Sequence, residues 1–231
     1  MLMRYRRQAG VTLIELMIAS SIALFALSAL LTVYSATARH SSRQLQQAHL
    51  HQQLHGTLQL LTRDLRRSGY WHFDPRLHSP VENPFTQPNN RLRIGAYPGE
   101  PAASCILLSY DLDQNGQVGK GGEDPVEQFG YRLRNGLLQS RYGGRSFSCD
   151  SGYWQAVTDP SIEISQLSFI QHSNCTNLND PKQDCAPGDA QLIQLAIETR
   201  LSGKSRAAFS QDLELSTWTW VRNAQMRDAQ R

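Results

Sequence analysis

Proline is missing from the first third of this chain: none of its 10 prolines precedes Pro75. Nothing in that stretch forces a break in a helix. Charge is almost missing from residues 8–31, QAGVTLIELMIASSIALFALSALL, where Glu15 is the single charged side chain. An excess of either sign is missing from the remainder. Formal net charge is +3, and Arg4, Arg6 and Arg7 account for it, so the residues after position 10 balance to zero. The basic pI therefore argues for no nucleic-acid surface, which would need a clustered basic stripe. No G-x-S-x-G, no Walker loop and no Cys/His pair placed for nucleophilic catalysis occurs, and the chain reads as a non-enzyme. None of the four cysteines forms a C-x-x-C pair, which removes the commonest redox and zinc spacings.

What is present begins with the apolar run. It is long enough to span a bilayer, yet an ionised carboxylate within such a segment costs about 2.5–3.5 kcal/mol on insertion scales. A secretory signal peptide would be shorter and would end on a small-residue cleavage site, which is not found here. An ordinary signal anchor fits the length and the arginine flank, held in the cytoplasm, but leaves Glu15 unexplained. Cleavage between Gly10 and Val11 explains it. The new α-amine at Val11 would lie four residues from Glu15, on the same helix face. An amine and a carboxylate from neighbouring chains could then neutralise each other and specify register.

The Arg-rich leader, Gly10 and Val11-Thr12-Leu13-Ile14-Glu15-Leu16 closely resemble the class III signal of type IV pilins and pseudopilins. The resemblance implies processing by a prepilin peptidase after Gly10, methylation at Val11 and subunit docking through Glu15. Phe is commonest at the new N-terminus in that family, and Val11 departs from it.

Beyond the membrane, Leu50, Leu54, Leu58, Leu61 and Leu65 recur at spacings of four and three among polar residues, one apolar stripe on a helix. One continuous helix from about Thr12 to Ser68 is predicted, about 80–85 Å long, with Gly69 as its stop. Residues 72–104 read as loop. Strands are predicted at Cys105–Tyr110, Gln128–Arg134, Leu137–Tyr142, Ile162–His172, Gln191–Leu201 and Ala207–Thr219. Asn135-Gly136 forms one hairpin turn, and Gly203-Lys204 is placed in a second. A long helix followed by antiparallel strands is α+β, as in the type IV pilin fold that the resemblance implies: a helix, membrane-spanning in its first half, packed on an antiparallel sheet.

The expected organisation is a leader at 1–10, a transmembrane and assembly half-helix at 11–38, a periplasmic half-helix at 39–71, and a loop-rich region with the sheet at 72–231. Cys105, Cys149, Cys175 and Cys185 all follow the membrane segment, and an even count outside the cytoplasm reads as two disulfides. Three pairings are open. Cys105–Cys149 with Cys175–Cys185 is preferred, since the latter closes a short polar loop.

Asp64-Leu65-Arg66-Arg67-Ser68-Gly69-Tyr70-Trp71 resembles the end of the long helix in PilW-like minor pilins, and Trp220-Val221-Arg222-Asn223 resembles their closing strand. The J-type pseudopilin of type II secretion shares much of this pattern. The resemblance implies a minor pilin that primes assembly and sits at the pilus tip. Its partners would be the prepilin peptidase, other minor pilins, the major pilin, the inner-membrane assembly platform and the lipid bilayer. It would be a single-pass inner-membrane protein with a periplasmic domain, drawn into the fibre on assembly.

Four further features compete with plain structural readings. Asp111, Asp113, Asn115 and Gln117, in DLDQNGQ, match the opening of a calcium loop, the one cofactor expectation the chain raises. The twelfth position is Gly122 rather than Glu, with Glu123 and Asp124 next, and a simple Asn115-Gly116 turn is the other reading. His51 and His55 sit one turn apart, but without the glutamate of a zinc-protease motif they read with His49 as a solvated face. Tyr70 and Trp71 read as core or helix-end anchors. Trp218 and Trp220 alternate on a strand, so they share one face, read as sheet core or else as a subunit interface.

Overall fold

The computed structural model describes residues 10–73, 76, 82–119, 126–206, 212–223 and the backbone of 225–227. The chain forms two units, residues 1–45 and 46–231. Helix α1, Leu13–Arg67, begins in the first and ends in the second.

In the first unit every described residue is exposed, including Leu13, Ile14, Leu16, Phe25, Leu30 and Val33. This part of α1 is long and apolar enough to cross a membrane. Several of its hydroxyls are satisfied from within: Ser20 and Ser21 donate to the Met17 carbonyl, Ser28 to that of Phe25 and Thr32 to that of Ser28. No polar hydrogen in that set is left facing hydrocarbon, where an unpaired one is costly.

In the second unit the leucine stripe does what its spacing predicts. Leu50, Leu54, Leu58, Leu61 and Leu65 are all buried. Leu50, Leu54, Leu61 and Leu65 share one core with Ile106, Leu108, Tyr131, Leu138, Phe169, Ile197 and Leu201. The strands that supply these partners form two antiparallel sheets rather than a single meander. The first runs in the order β1 (Arg93–Gly95), β2 (Cys105–Ser109), β3 (Gln128–Arg134), β4 (Leu137–Gly143), β5 (Tyr153–Ala156). The second is β6 (Ile162–Asn177), β7 (Gln191–Ser205), β8 (Leu213–Trp220), with β9 (Gln225–Arg227) added to β7.

The β3–β4 hairpin turns at Asn135-Gly136, whose φ of 53° and 70° are both positive, as a type I′ turn requires. The second expected turn is displaced. Gly203 and Lys204 lie inside β7, opposite Ile164 and Glu163 of β6, and Gly203 also faces Leu213 of β8. The glycine serves close approach instead: a Cβ there would stand 3.1 Å from the Glu163 carbonyl oxygen and 3.2 Å from Leu54. The predicted strand start at Ala207 lies outside the described residues.

Trp218 and Trp220 share a face as expected, but it is the exposed one (54% and 60%), which overturns the sheet-core reading. Leu213, Leu215, Thr217 and Thr219 occupy the other face of β8, and Leu213 and Leu215 pack on the core. With a period of two, seating those leucines turns both tryptophans outward. Trp218 there packs at a tilt of 33° against His172 of β6, ring centres 4.4 Å apart.

The end of α1 is closed by residues far away in sequence. Gly69 adopts a φ of 76° as the helix stop, and the Tyr70 N–H donates to the Arg67 carbonyl at 2.8 Å. The Asn223 side-chain amide donates to the carbonyls of Arg67 (3.3 Å) and Ser68 (3.1 Å). The Ser68 carbonyl is one that a helix end leaves unpaired, and that of Arg67 is shared with the Tyr70 N–H. Asn223→Ala should therefore cost about 1 kcal/mol, the worth of an ordinary intramolecular hydrogen bond, read as a lowered urea midpoint of the full chain in detergent at unchanged slope. An unshifted midpoint would show that water replaces the amide at no cost.

Candidate assembly site and acidic loop

Two places gather the candidate residues, one in each unit. The first is the start of α1. Thr12 and Glu15 close on each other: the Thr12 backbone N–H and hydroxyl both donate to Glu15 Oε2, at 2.9 and 3.0 Å, and the Glu15 N–H donates to Thr12 Oγ1 at 3.3 Å. This is a capping box, in which a Thr cap and a Glu three residues on satisfy helix-end donors reciprocally. The carboxylate also sits in the first turn, where the helix dipole favours negative charge. Val11 is 75% exposed, and a Cβ at Gly10 would meet nothing within 4 Å. Gly10 and Val11 are thus both exposed, and Glu15 lies one turn inside them.

The second place is the loop after β2. Asp111 is buried; its Oδ2 accepts the His72 N–H at 2.9 Å and the Gly116 N–H at 3.1 Å. Trp71 Nε1 donates to the Gly116 carbonyl at 3.2 Å, so Trp71 anchors the chain leaving α1 to this loop. Of the four expected ligands, Asp111 and Asp113 come together. Asn115 instead turns its Oδ1 to the Gln117 N–H (2.7 Å) and its amide to Asp113 (2.8 Å), and the Gln117 side chain is exposed. Gly122, Glu123 and Asp124 lie outside the described residues.

The residue that sequence reading missed is Glu127, just ahead of β3 and beyond the twelve-residue window of a calcium loop. It is fully buried, and its Oε1 accepts the Leu112 N–H at 2.6 Å while Oε2 accepts the Gly119 N–H at 2.9 Å. Burial pushes its carboxyl up, against the pull of those backbone N–H groups and with the help of the nearby Asp113 charge. One oxygen from each of Asp111, Asp113 and Glu127 lies within 4.8 Å of the others. The histidines of α1 form no such group among the described residues: His51 and His55 stack at 6.2 Å, both exposed, and His49 lies 4.0 Å from Asp159.

The cysteines pair as Cys105–Cys149 and Cys175–Cys185, each with Cα atoms 6.2 Å apart.

Comparison with known proteins bears on both units. A family described as prepilin peptidase-dependent protein B matches residues 43–222, well over half of the chain. The chain belongs to that family. The prokaryotic N-terminal methylation motif matches residues 5–31, which include Gly10, Val11 and Glu15. An uncharacterized protein of Haemophilus influenzae is 29% identical over 107 residues, an overlap of 40% of this chain and 45% of that relative. The chain thus spans less than half the length of the curated relative it matches. No solved structure matches. Membership of this family makes the chain a prepilin peptidase-dependent, pilin-like protein. The α+β architecture, a long apolar N-terminal helix followed by antiparallel sheets, accords with it.

Proposed function

We propose that the chain is a minor type IV pilin, PilW-like, which takes part in assembling and priming the pilus and sits at its tip. The observation that carries this reading is Glu15, the one charge in a membrane-length apolar run, placed four residues after Val11. Within a single chain its carboxylate is held by Thr12. A second oxygen remains for a partner, and cleavage after Gly10 supplies one as an amine on a neighbouring subunit. The chemistry of assembly is this exchange of a capped carboxylate for an intersubunit pair, with apolar helix packing replacing lipid contacts. The first unit would hold the chain in the inner membrane with the arginines cytoplasmic, and the disulfide-bearing second unit would lie in the periplasm. Its partners are then the prepilin peptidase, the other pilins and the assembly platform; no enzymatic step is assigned to it.

The J-type pseudopilin of a type II secretion system is the second reading, favoured by the same Asp64–Trp71 stretch. Deleting the gene tests both. The pilus reading expects surface pili to fall sharply while exoproteins still leave the cell; pili that persist while exoproteins stay in the periplasm would replace it with the secretion reading. Mass spectrometry of the wild-type chain should find Val11 as its first residue, methylated. An uncleaved Met1 would end both readings.

A further inference from the structure

We propose that Asp111, Asp113 and Glu127 hold a divalent cation, calcium, that locks the β2–β3 loop to the chain leaving α1. Three observations converge. One oxygen from each carboxylate lies within 4.8 Å of the others, a spacing that fits around one ion with bonds of about 2.3–2.6 Å. Asp111 is only 3% exposed, yet its Oδ1 accepts no hydrogen bond, while its Oδ2 accepts two. A carboxylate oxygen taken out of water without a donor is costly, and a cation is the partner that relieves it. Finally, none of the three carboxylates forms an ion pair with a Lys, Arg or His side chain among the described residues.

The donor chemistry selects the ion. All three ligands are hard carboxylate oxygens, with no sulfur or imidazole in the group, which disfavours zinc and copper. Calcium accepts an irregular, loop-built shell of six to eight oxygens, whereas magnesium demands near-octahedral order at about 2.0–2.1 Å. The backbone is already arranged around the carboxylates: the N–H groups of His72 and Gly116 donate to Asp111 Oδ2, and those of Leu112 and Gly119 to the two oxygens of Glu127. Because His72 and Trp71 follow α1 while Glu127 precedes β3, filling the site would tie three separate segments together. This site goes beyond the assembly role and stands or falls without it.

The test uses the full chain in detergent, stripped with a chelator and then titrated with terbium. Trp71, whose indole N–H contacts the Gly116 carbonyl at 3.2 Å, is the sensitising donor. Saturable luminescence is expected, displaced by calcium with a dissociation constant of about 10⁻⁴–10⁻³ M, the range of extracellular modules, and not by magnesium at the same concentration. Asp113 is exposed, so Asp113→Asn keeps the fold and should weaken calcium binding roughly tenfold or more, since affinity follows ligand charge count. Asp111→Asn, checked for cooperative unfolding, should do the same. Terbium luminescence that never saturates, displacement by magnesium as strong as by calcium, or unchanged affinity in both variants would overturn the assignment.

Discussion

A chain carrying Glu15→Ala is expected to be cut after Gly10 and inserted as well as the wild type, yet to fall about a hundredfold or more in the sheared filament fraction. Insertion should suffer least, because removing a carboxylate from an apolar helix lowers the transfer cost. Incorporation should suffer most. Deleting one partner of a buried charge pair leaves the other uncompensated, at about 3–5 kcal/mol, which is two decades or more in an equilibrium. The capping box offers a competing account of the same loss. Glu15 satisfies the Thr12 N–H at 2.9 Å, and losing a helix cap costs about 0.5–2 kcal/mol. Two further variants separate the accounts. Glu15→Gln preserves the box, since Gln serves at that position as well as Glu, but removes the charge. Thr12→Ala keeps the charge and removes the hydroxyl cap. If pairing with a neighbour's amine is what matters, Glu15→Gln fails as badly as Glu15→Ala does, and Thr12→Ala loses only a few-fold. Immunoblots of membrane and filament fractions decide it. Normal assembly of the Glu15→Gln chain would make Glu15 a helix cap and nothing more.

The same residues show what can be read before folding and what cannot. The leucine stripe of α1 is legible because its partners lie three and four residues away on the same element, and all five leucines are buried. The Asn135-Gly136 turn is legible because the need for positive φ at both positions is local. Pairing between distant strands is different. Nothing around Gly203 distinguishes a turn glycine from one that lets Glu163 and Leu54 approach. Nothing within β8 says whether its leucines or its tryptophans face the core. Short strands escape for a related reason: Arg93–Gly95 is three residues long and ends in glycine, and its support comes from the register opposite Cys105–Leu107. In the acidic loop, spacing alone picks out Asp111 and Asp113. Glu127 joins them only through folding, because β2 and β3 pair and bring both ends of the loop together. At the start of α1 the Thr12-x-x-Glu15 pattern is in plain view, but the lone charge in an apolar run draws the eye from its capping role.

The two disulfides should differ in worth, and burial rather than loop length alone sets the order. Loop closure favours Cys105–Cys149, which spans 44 positions against 10 for Cys175–Cys185, but in the chain-entropy model that difference amounts to only about 1 kcal/mol. The surroundings widen it. Cys105 is fully buried in β2. Its partner, Cys149, lies on the β4–β5 connection, a segment that arginines hold by its carbonyls. Arg132 Nη1 donates to the Cys149 carbonyl at 2.6 Å, Arg93 Nη2 to that of Phe147 at 2.6 Å, and Arg141 Nη2 to those of Gly144 and Ser146 at 3.0 Å. Arg132 itself is buried, its guanidinium over the Trp154 ring (4.2 Å) and the Tyr97 ring (4.7 Å), with Asp150 near enough to favour its charge. Release of the loop would expose that guanidinium's partners together with the buried sulfur. Cys175, by contrast, is exposed near the tip of the β6–β7 hairpin, where opening disturbs little of the core. The double variant Cys105→Ala/Cys149→Ala should therefore lose about 3–5 kcal/mol, at the upper end for a native disulfide. Cys175→Ala/Cys185→Ala should lose about 2 kcal/mol or less, because local opening already releases that tip without global unfolding. Urea unfolding of both full chains in detergent, read at common slope, gives the comparison directly. Equal losses, or a larger one for the hairpin tip, would mean that the arginine clamps hold the β4–β5 connection without help from sulfur.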